Sequence, residues 1–220
     1  LLLAAERRLP VVYQKNTHGN STPPAMKIIC VGRNYRAHAE ELGNAVPEVP
    51  VIFCKPDSAL LPPRNPFVIP PWTHDVHHEI EWVVRISKVG KYIEPRFAHQ
   101  YIDAMTVGLD FTARDLQSEL KSKGLPWERA KGFDGSAVLG TWSDLPETTQ
   151  PHHIRLEKNG TTVQEGSSAD FLTPIEDLIA FVSQYFTLKK GDVLFTGTPA
   201  GVGPVAPGDR LEGFLNGESR

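Results

Sequence analysis

Residues 74–86 read His-Asp-Val-His-His-Glu-Ile-Glu-Trp-Val-Val-Arg-Ile. Glu79 and Glu81 are two residues apart. On a helix that spacing turns them away from each other; on a strand it puts both on one face. The run Trp82-Val83-Val84-Arg85-Ile86 is β-branched and aromatic, which favours a strand. His77 then shares the carboxylate face. Val76, His78, Ile80, Trp82 and Val84 make the other face, which is mostly apolar. Neighbouring carboxylates repel unless they are solvated, protonated or bridged by a cation. The stretch is therefore either a solvated edge strand or part of a cation site.

On its N-terminal side, residues 1–25 are polar around Asn16–Pro24 and read as a peripheral arm or linker, leaving 26–220 as one catalytic-size domain. Lys27–Val31 reads as a strand, and Arg36–Gly43 as a short helix stopped by its glycine. That helix carries His38 and Glu41 at i and i+3, on one face. A histidine oriented by a carboxylate is a general-base arrangement; a surface His–Glu pair has the same spacing. The loop Asn44–Pro50 after it makes the helix a candidate lid. Val51–Cys54 is a short strand followed by Lys55, which is placed either to hold an anionic substrate or to face water.

On the C-terminal side, Pro95–Ile102 is helix-like and Thr106–Leu109 is a buried strand ending in Asp110. Thr112–Lys123 reads as a helix, with Thr112 and Asp115 opening a capping box and Gly124 stopping it. Asp110 thus stands at a strand-to-helix junction, as a functional carboxylate or as a cap. Gln117 lies two helical turns along, near the same end. Lys131 sits among small residues, reaching inward or lying on a surface loop. Residues 151–165 form a hairpin turning at Lys158-Asn159-Gly160. Thr173-Pro174-Ile175-Glu176 starts a helix whose apolar stripe is 175, 178, 179, 182, 185 and 186. Gly191–Phe195 is a strand. The loop Thr196–Pro204 is glycine-rich but lacks the Gly-Lys-Ser/Thr ending of a nucleotide loop. Its N–H groups and Thr198 suit a carboxylate, or simply a tight turn.

Composition removes several classes. A net charge of -3 argues against nucleic acid as a partner. Two cysteines, Cys30 and Cys54, make no disulfide framework and fit a reducing compartment. No apolar run approaches the ~18 residues a membrane span needs. The start LLLAAERRLP meets charge after five residues and makes a poor signal peptide. A cytoplasmic enzyme is the default, or an organellar one from a eukaryote.

Together Glu79, Glu81 and Asp110 are three hard oxygen ligands, a set for Mg²⁺ or Mn²⁺ over Zn²⁺. With GRNYRAHAEE (32–41), FCKP (53–56), HHEIEWVV (77–84), GLDFTARDLQ (108–117), LPWERAKGFDGSAVLG (125–140) and FTGTPAGVGPV (195–205), the chain resembles the fumarylacetoacetate hydrolase family, its small single-domain members above all. The segment Gly166–Phe171 departs from the family pattern in a serine and a phenylalanine.

The resemblance implies a mainly β fold with short helices, a β-roll or β-sandwich around the metal site, in a homodimer. A further strand is implied beyond Leu211-Glu212-Gly213, where little chain is left. Glu79, Glu81 and Asp110 would hold Mg²⁺ or Mn²⁺. His38 and Glu41 would activate water from a lid, and Lys131 would stabilise negative charge. Arg33, Lys55, Gln117 and Thr198 would contact substrate. The expected reaction is hydrolysis of a C–C bond in an acylpyruvate to pyruvate and a carboxylic acid. Oxaloacetate decarboxylation, tautomerisation and a dienedioate isomerase reaction use the same electron sink and stand as alternatives. A non-catalytic keto-acid binding protein would need neither the base nor Lys131.

Overall fold

In a computed structural model, which describes residues 8–9, 27–41, 47–145 and 150–220, the stretch 74–86 is two strands. In chain order the elements are β1 (Ile28–Val31), α1 (Arg36–Glu41), β2 (Ile52–Lys55), β3 (Val76–His78), β4 (Ile80–Ile86), β5 (Ile102–Asp110), β6 (Thr112–Ala113), α2 (Arg114–Ser122), α3 (Glu128–Lys131), β7 (Ala137–Leu139), β8 (Ser143–Asp144), β9 (His153–Lys158), β10 (Thr161–Ser167), α4 (Ile175–Tyr185), β11 (Val193–Phe195), β12 (Gly203–Pro204), β13 (Leu211–Leu215) and β14 (Glu218–Ser219). The fold is mainly β with short helices.

The chief sheet runs β8-β5-β4-β11-β1-β2, with β7 also on β5. β4 is central in it, so the edge-strand alternative falls. Its side chains alternate between two buried layers. Ile80, Trp82, Val84 and Ile86 pack in a core that also holds Val107, Leu109, Ile154, Leu156, Leu211 and Leu215. Fully burying one such side chain stabilises the fold by roughly 1.5–3 kcal/mol, an upper figure for a compact unfolded chain. Val83 faces the other way, with Ile28, Cys30, Val193 and Phe195. Glu81 has the same parity as Val83. A second sheet, β10-β9-β13-β14, lies over the apolar face. Contact there is close: a Cβ on Gly213 would stand 2.9 Å from Val107 Cγ2 and 3.2 Å from Ile80 Cδ1.

The expected single strand breaks at Glu79 because the Ile80 N–H is taken by the Gln164 side chain (3.0 Å). β3 continues into a small sheet, β12-β3-β6. The expected helix 112–123 starts two residues late. Thr112 and Ala113 pair with β3, and no side chain caps the helix. Asp115 instead accepts from Thr73 Oγ1 (2.7 Å) and His74 N–H (3.0 Å). The 151–165 hairpin forms, and Asn159 (φ 54°) and Gly160 (φ 79°) give its two-residue turn. In α4 the stripe buries Leu178, Ile179 and Val182, but Tyr185 is 59% exposed. The chain past Gly213 completes β13 and adds β14, so the last β-element is a hairpin.

Of the arm at 1–25 only Arg8–Leu9 is described, paired antiparallel with Phe67–Val68. The helix stop at Gly43 and the loop from Asn44 to Val46 lie outside the described residues. Cys30 and Cys54 are free thiols. Among the described residues no helix is long and apolar enough to cross a membrane.

Candidate metal centre and proton-transfer site

β4 and β5 pair antiparallel, with Ile80 opposite Leu109 and Glu81 opposite Gly108. The ladder reaches one step further, from Asp110 N–H to the Glu79 carbonyl (2.9 Å). That register stacks Glu79, Glu81 and Asp110 on one face, with no side chain at 108 to separate them. A carboxylate oxygen from each lies within 4.8 Å of the others, and all three residues are buried.

Cations are unevenly shared among them. Lys131 Nζ, itself buried, is 2.7 Å from Glu79 Oε2 and 2.7 Å from Asp110 Oδ2. Arg114 pairs with Glu79 Oε1 and with Gln117 Oε1 (2.6 Å). Burial opposes charge on Glu79, but Lys131 and then Arg114 outweigh it and hold its carboxyl well below the usual range. Burial also opposes charge on Lys131, and Asp110 and Glu79 overcome it and push its pKa up. Among the described residues Glu81 receives the Gly197 N–H (2.6 Å) and pairs with no cation. Burial, then Asp110 and Glu79, push its pKa well up. A divalent ion would supply the cation that this carboxyl does not find among the described residues. The hard oxygen donors fit Mg²⁺ or Mn²⁺.

His38 is buried on α1, its Nδ1 3.4 Å from Glu41 Oε2. Burial lowers its pKa, while Glu79 and Glu41 act in the opposite sense. A small cleft is lined by Arg33, His38, Glu79, Arg114, Gln117, Lys121 and Lys131, with Gly32 and Trp127. His38, Arg33 and Gln117 thus share one cleft with Glu79 and Lys131.

Lys55 and Thr198, the other two expected substrate contacts, are not among the residues lining that cleft. Lys55 is 2% exposed. Its Nζ sits 2.6 Å from Asp110 Oδ1, off the hydrogen-bond axis, and donates to Ser136 O (2.9 Å) and Ser136 Oγ (3.1 Å). It props Asp110 from the end of β2, the edge strand of the same sheet. The Thr198 hydroxyl donates to Ile80 O (2.8 Å) and accepts from Gln164 Nε2 (2.8 Å), so it fastens the loop to β4. His77, expected beside the carboxylates, is bound to Asp75 (2.9 Å) beyond the break at Glu79. The 196–204 loop does bind carboxylates through N–H groups, but they are the protein's own.

Arg114 carries a weak sequence signal, its i,i+3 spacing to Gln117 on α2. Gln164 and Asn34 offer none: each is a single amide whose partners lie 34–162 residues away.

A model of the fumarylacetoacetate (FAA) hydrolase C-terminal family matches residues 27–217. The chain is 43% identical over 199 residues to an oxaloacetate tautomerase of Escherichia coli, YcgM, covering 89% of this chain and 91% of that one. It is 39% identical to the human mitochondrial oxaloacetate tautomerase FAHD1, over 86% and 87%. Among solved structures, the fumarylpyruvate hydrolase of Pseudomonas aeruginosa in complex with Mn²⁺ and pyruvate superposes with a TM-score of 0.84 at 34% identity, covering 99% of this chain and 95% of that one. A Yersinia pestis family protein gives 0.85 at 41% identity, over 89% and 91%. With a family model spanning nearly the whole described domain and relatives this similar, the chain belongs to the fumarylacetoacetate hydrolase family.

Proposed function

We propose that the protein is a divalent-metal-dependent oxaloacetate tautomerase. The carrying observation is the cleft wall, which sets one neutral buried base, His38, among Arg33, Arg114, Lys121 and Lys131. One base among several cations suits a proton transfer on a dianion. The relatives named oxaloacetate tautomerase support the same reading.

Glu79, Glu81 and Asp110 would hold the ion, which supplies Lewis acidity toward a 2-oxo acid. His38, its ring oriented by Glu41, takes a proton from C3 of the keto form. The C3–H electrons form the C2–C3 double bond, the C2=O π pair moves onto the oxygen, and protonated His38 gives its proton to that oxygen, which yields the enol and restores the neutral base. Lys131 and Arg114 give fixed positive charge against the charge that builds on that oxygen. Arg33 and Lys121 suit the second carboxylate. The reverse transfers return the keto form.

The second reading is hydrolysis of an acylpyruvate, with His38 drawing the proton from water. The His38–Glu41 pair and the fumarylpyruvate hydrolase likeness favour it. The test is kcat/KM for oxaloacetate enol–keto exchange against kcat/KM for fumarylpyruvate cleavage, both with Mn²⁺. Faster exchange is expected. Cleavage as the faster reaction would replace the proposal with the hydrolase.

A further inference from the structure

The loop 196–204 touches both halves of the site. Gly197 N–H donates to Glu81 Oε2 at 2.6 Å. Four residues on, Gly201 N–H donates to both carboxylate oxygens of Glu41, at 3.0 and 3.2 Å. We propose that the Gly201 backbone N–H is a positioning group for the His38–Glu41 pair, fastening the C-terminal end of α1 to the loop that holds Glu81. This rests on reading His38 as the proton-transfer group.

Glu41 needs such a catch. Its side chain is one-third exposed on a six-residue helix, and it faces His38 at a loose 3.4 Å. An untethered glutamate there would spend its time among several rotamers, with the imidazole orienting partner present only part of the time. The N–H contact removes that freedom while a carboxylate oxygen still faces His38.

The loop is shaped to make the contact. Gly201 has φ +95°, and a Cβ there would lie 2.2 Å from the Val163 carbonyl oxygen, so only glycine presents its N–H at this point. The loop is also stiff. Thr198 is bound to Ile80 O, and Gln164 Nε2 donates to Thr198 Oγ1 (2.8 Å) and Pro199 O (3.0 Å). The segment entering α1 is tied to the same loop. The fully buried Asn34 donates to Thr196 O (2.9 Å) and Thr173 O (3.2 Å) and accepts from Thr173 N–H (2.8 Å). Both ends of α1 are therefore anchored to one loop, and that loop also holds a metal-site carboxylate.

The test is residue-resolved amide hydrogen exchange on metal-free protein, wild type against Glu41→Ala. Gly201 should exchange roughly tenfold to a hundredfold faster in the variant, the span of a lost hydrogen bond to a charged group, while Gly197 is unchanged. Equal exchange at Gly201 in the two proteins overturns the proposal. The catalytic arm is Gly201→Ala, expected to lower kcat for oxaloacetate exchange and leave KM unchanged; an unchanged kcat overturns the positioning role. If that variant does not fold, Thr198→Val loosens the loop instead. It should speed Gly201 exchange and lower kcat at constant KM, and a rise in KM alone counts against the proposal. Amide exchange involves no substrate, so failure of the catch is seen apart from any failure of the tautomerase reading.

Discussion

Replacing Lys55 with Met separates two roles that the sequence leaves open. A substrate contact would raise KM and spare stability. The structure instead puts the ammonium in a closed space behind Asp110, 2.6 Å from Oδ1 and hydrogen-bonded to Ser136 O and Oγ. Met keeps the length and volume but leaves a buried carboxylate and two oxygens without their cation. Removing one member of a buried ion pair costs about 3–5 kcal/mol. Asp110 keeps Lys131 at 2.7 Å on its other oxygen, which places the loss at the low end, about 3 kcal/mol. For a domain of this size that is a fall in Tm of roughly 6–12 °C. The assay is thermal and urea unfolding of metal-free Lys55→Met by circular dichroism, with KM measured alongside. A Tm within about 2 °C of wild type, together with a KM raised tenfold or more, would refute the buried-prop argument.

Three further outcomes follow from the same geometry. Glu81→Gln keeps an acceptor for the Gly197 N–H and should fold normally but lose Mn²⁺-dependent turnover; near-normal turnover would remove Glu81 from the ligand set. Burial holds the His38 pKa below its ordinary value, so the neutral base persists through pH 7 and turnover should fall only below about pH 6.5. In stability terms the unfolded chain takes up the proton first, so the His38 contribution is intact above about pH 6.5 and is lost progressively as pH falls from there through the lower folded-state value. Unfolding curves of wild type against His38→Gln measure this contribution, and an activity limb centred above pH 7 contradicts the assignment. Gln164→Leu strips partners from His78 Nδ1, the Ile80 N–H, Thr198 and Pro199 O, and should cost about 2–3 kcal/mol in urea unfolding. A loss under about 0.5 kcal/mol would show that Gln164 is not the hub it resembles.

Much of this site was legible because its signals are local. The two-residue spacing of Glu79 and Glu81 needs only a strand to place them together, and the run from Trp82 to Ile86 supplies it. Asn159-Gly160 names its own turn. His38 and Glu41 need only one helical turn. What stayed hidden depends on partners far along the chain. Nothing near Lys55 tells that Ser136, 81 residues on, receives its ammonium. Nothing near Thr198 tells that its hydroxyl is spent on Ile80, 118 residues back. The break at Glu79 was hidden for the same reason, since it depends on Gln164 taking the Ile80 N–H. Thr112 and Asp115 have capping-box spacing, but pairing of β6 with β3 outweighs it, so α2 starts at Arg114.

We propose that Glu81 on β4, Asp110 on β5 and Glu79 beside them hold one divalent cation. Calorimetric titration of Mn²⁺ into chelator-stripped protein tests it most directly. Saturable binding of one ion per chain is expected in the wild type, and its loss in Glu81→Gln. Binding absent from the wild type, or equal in the two proteins, would contradict it.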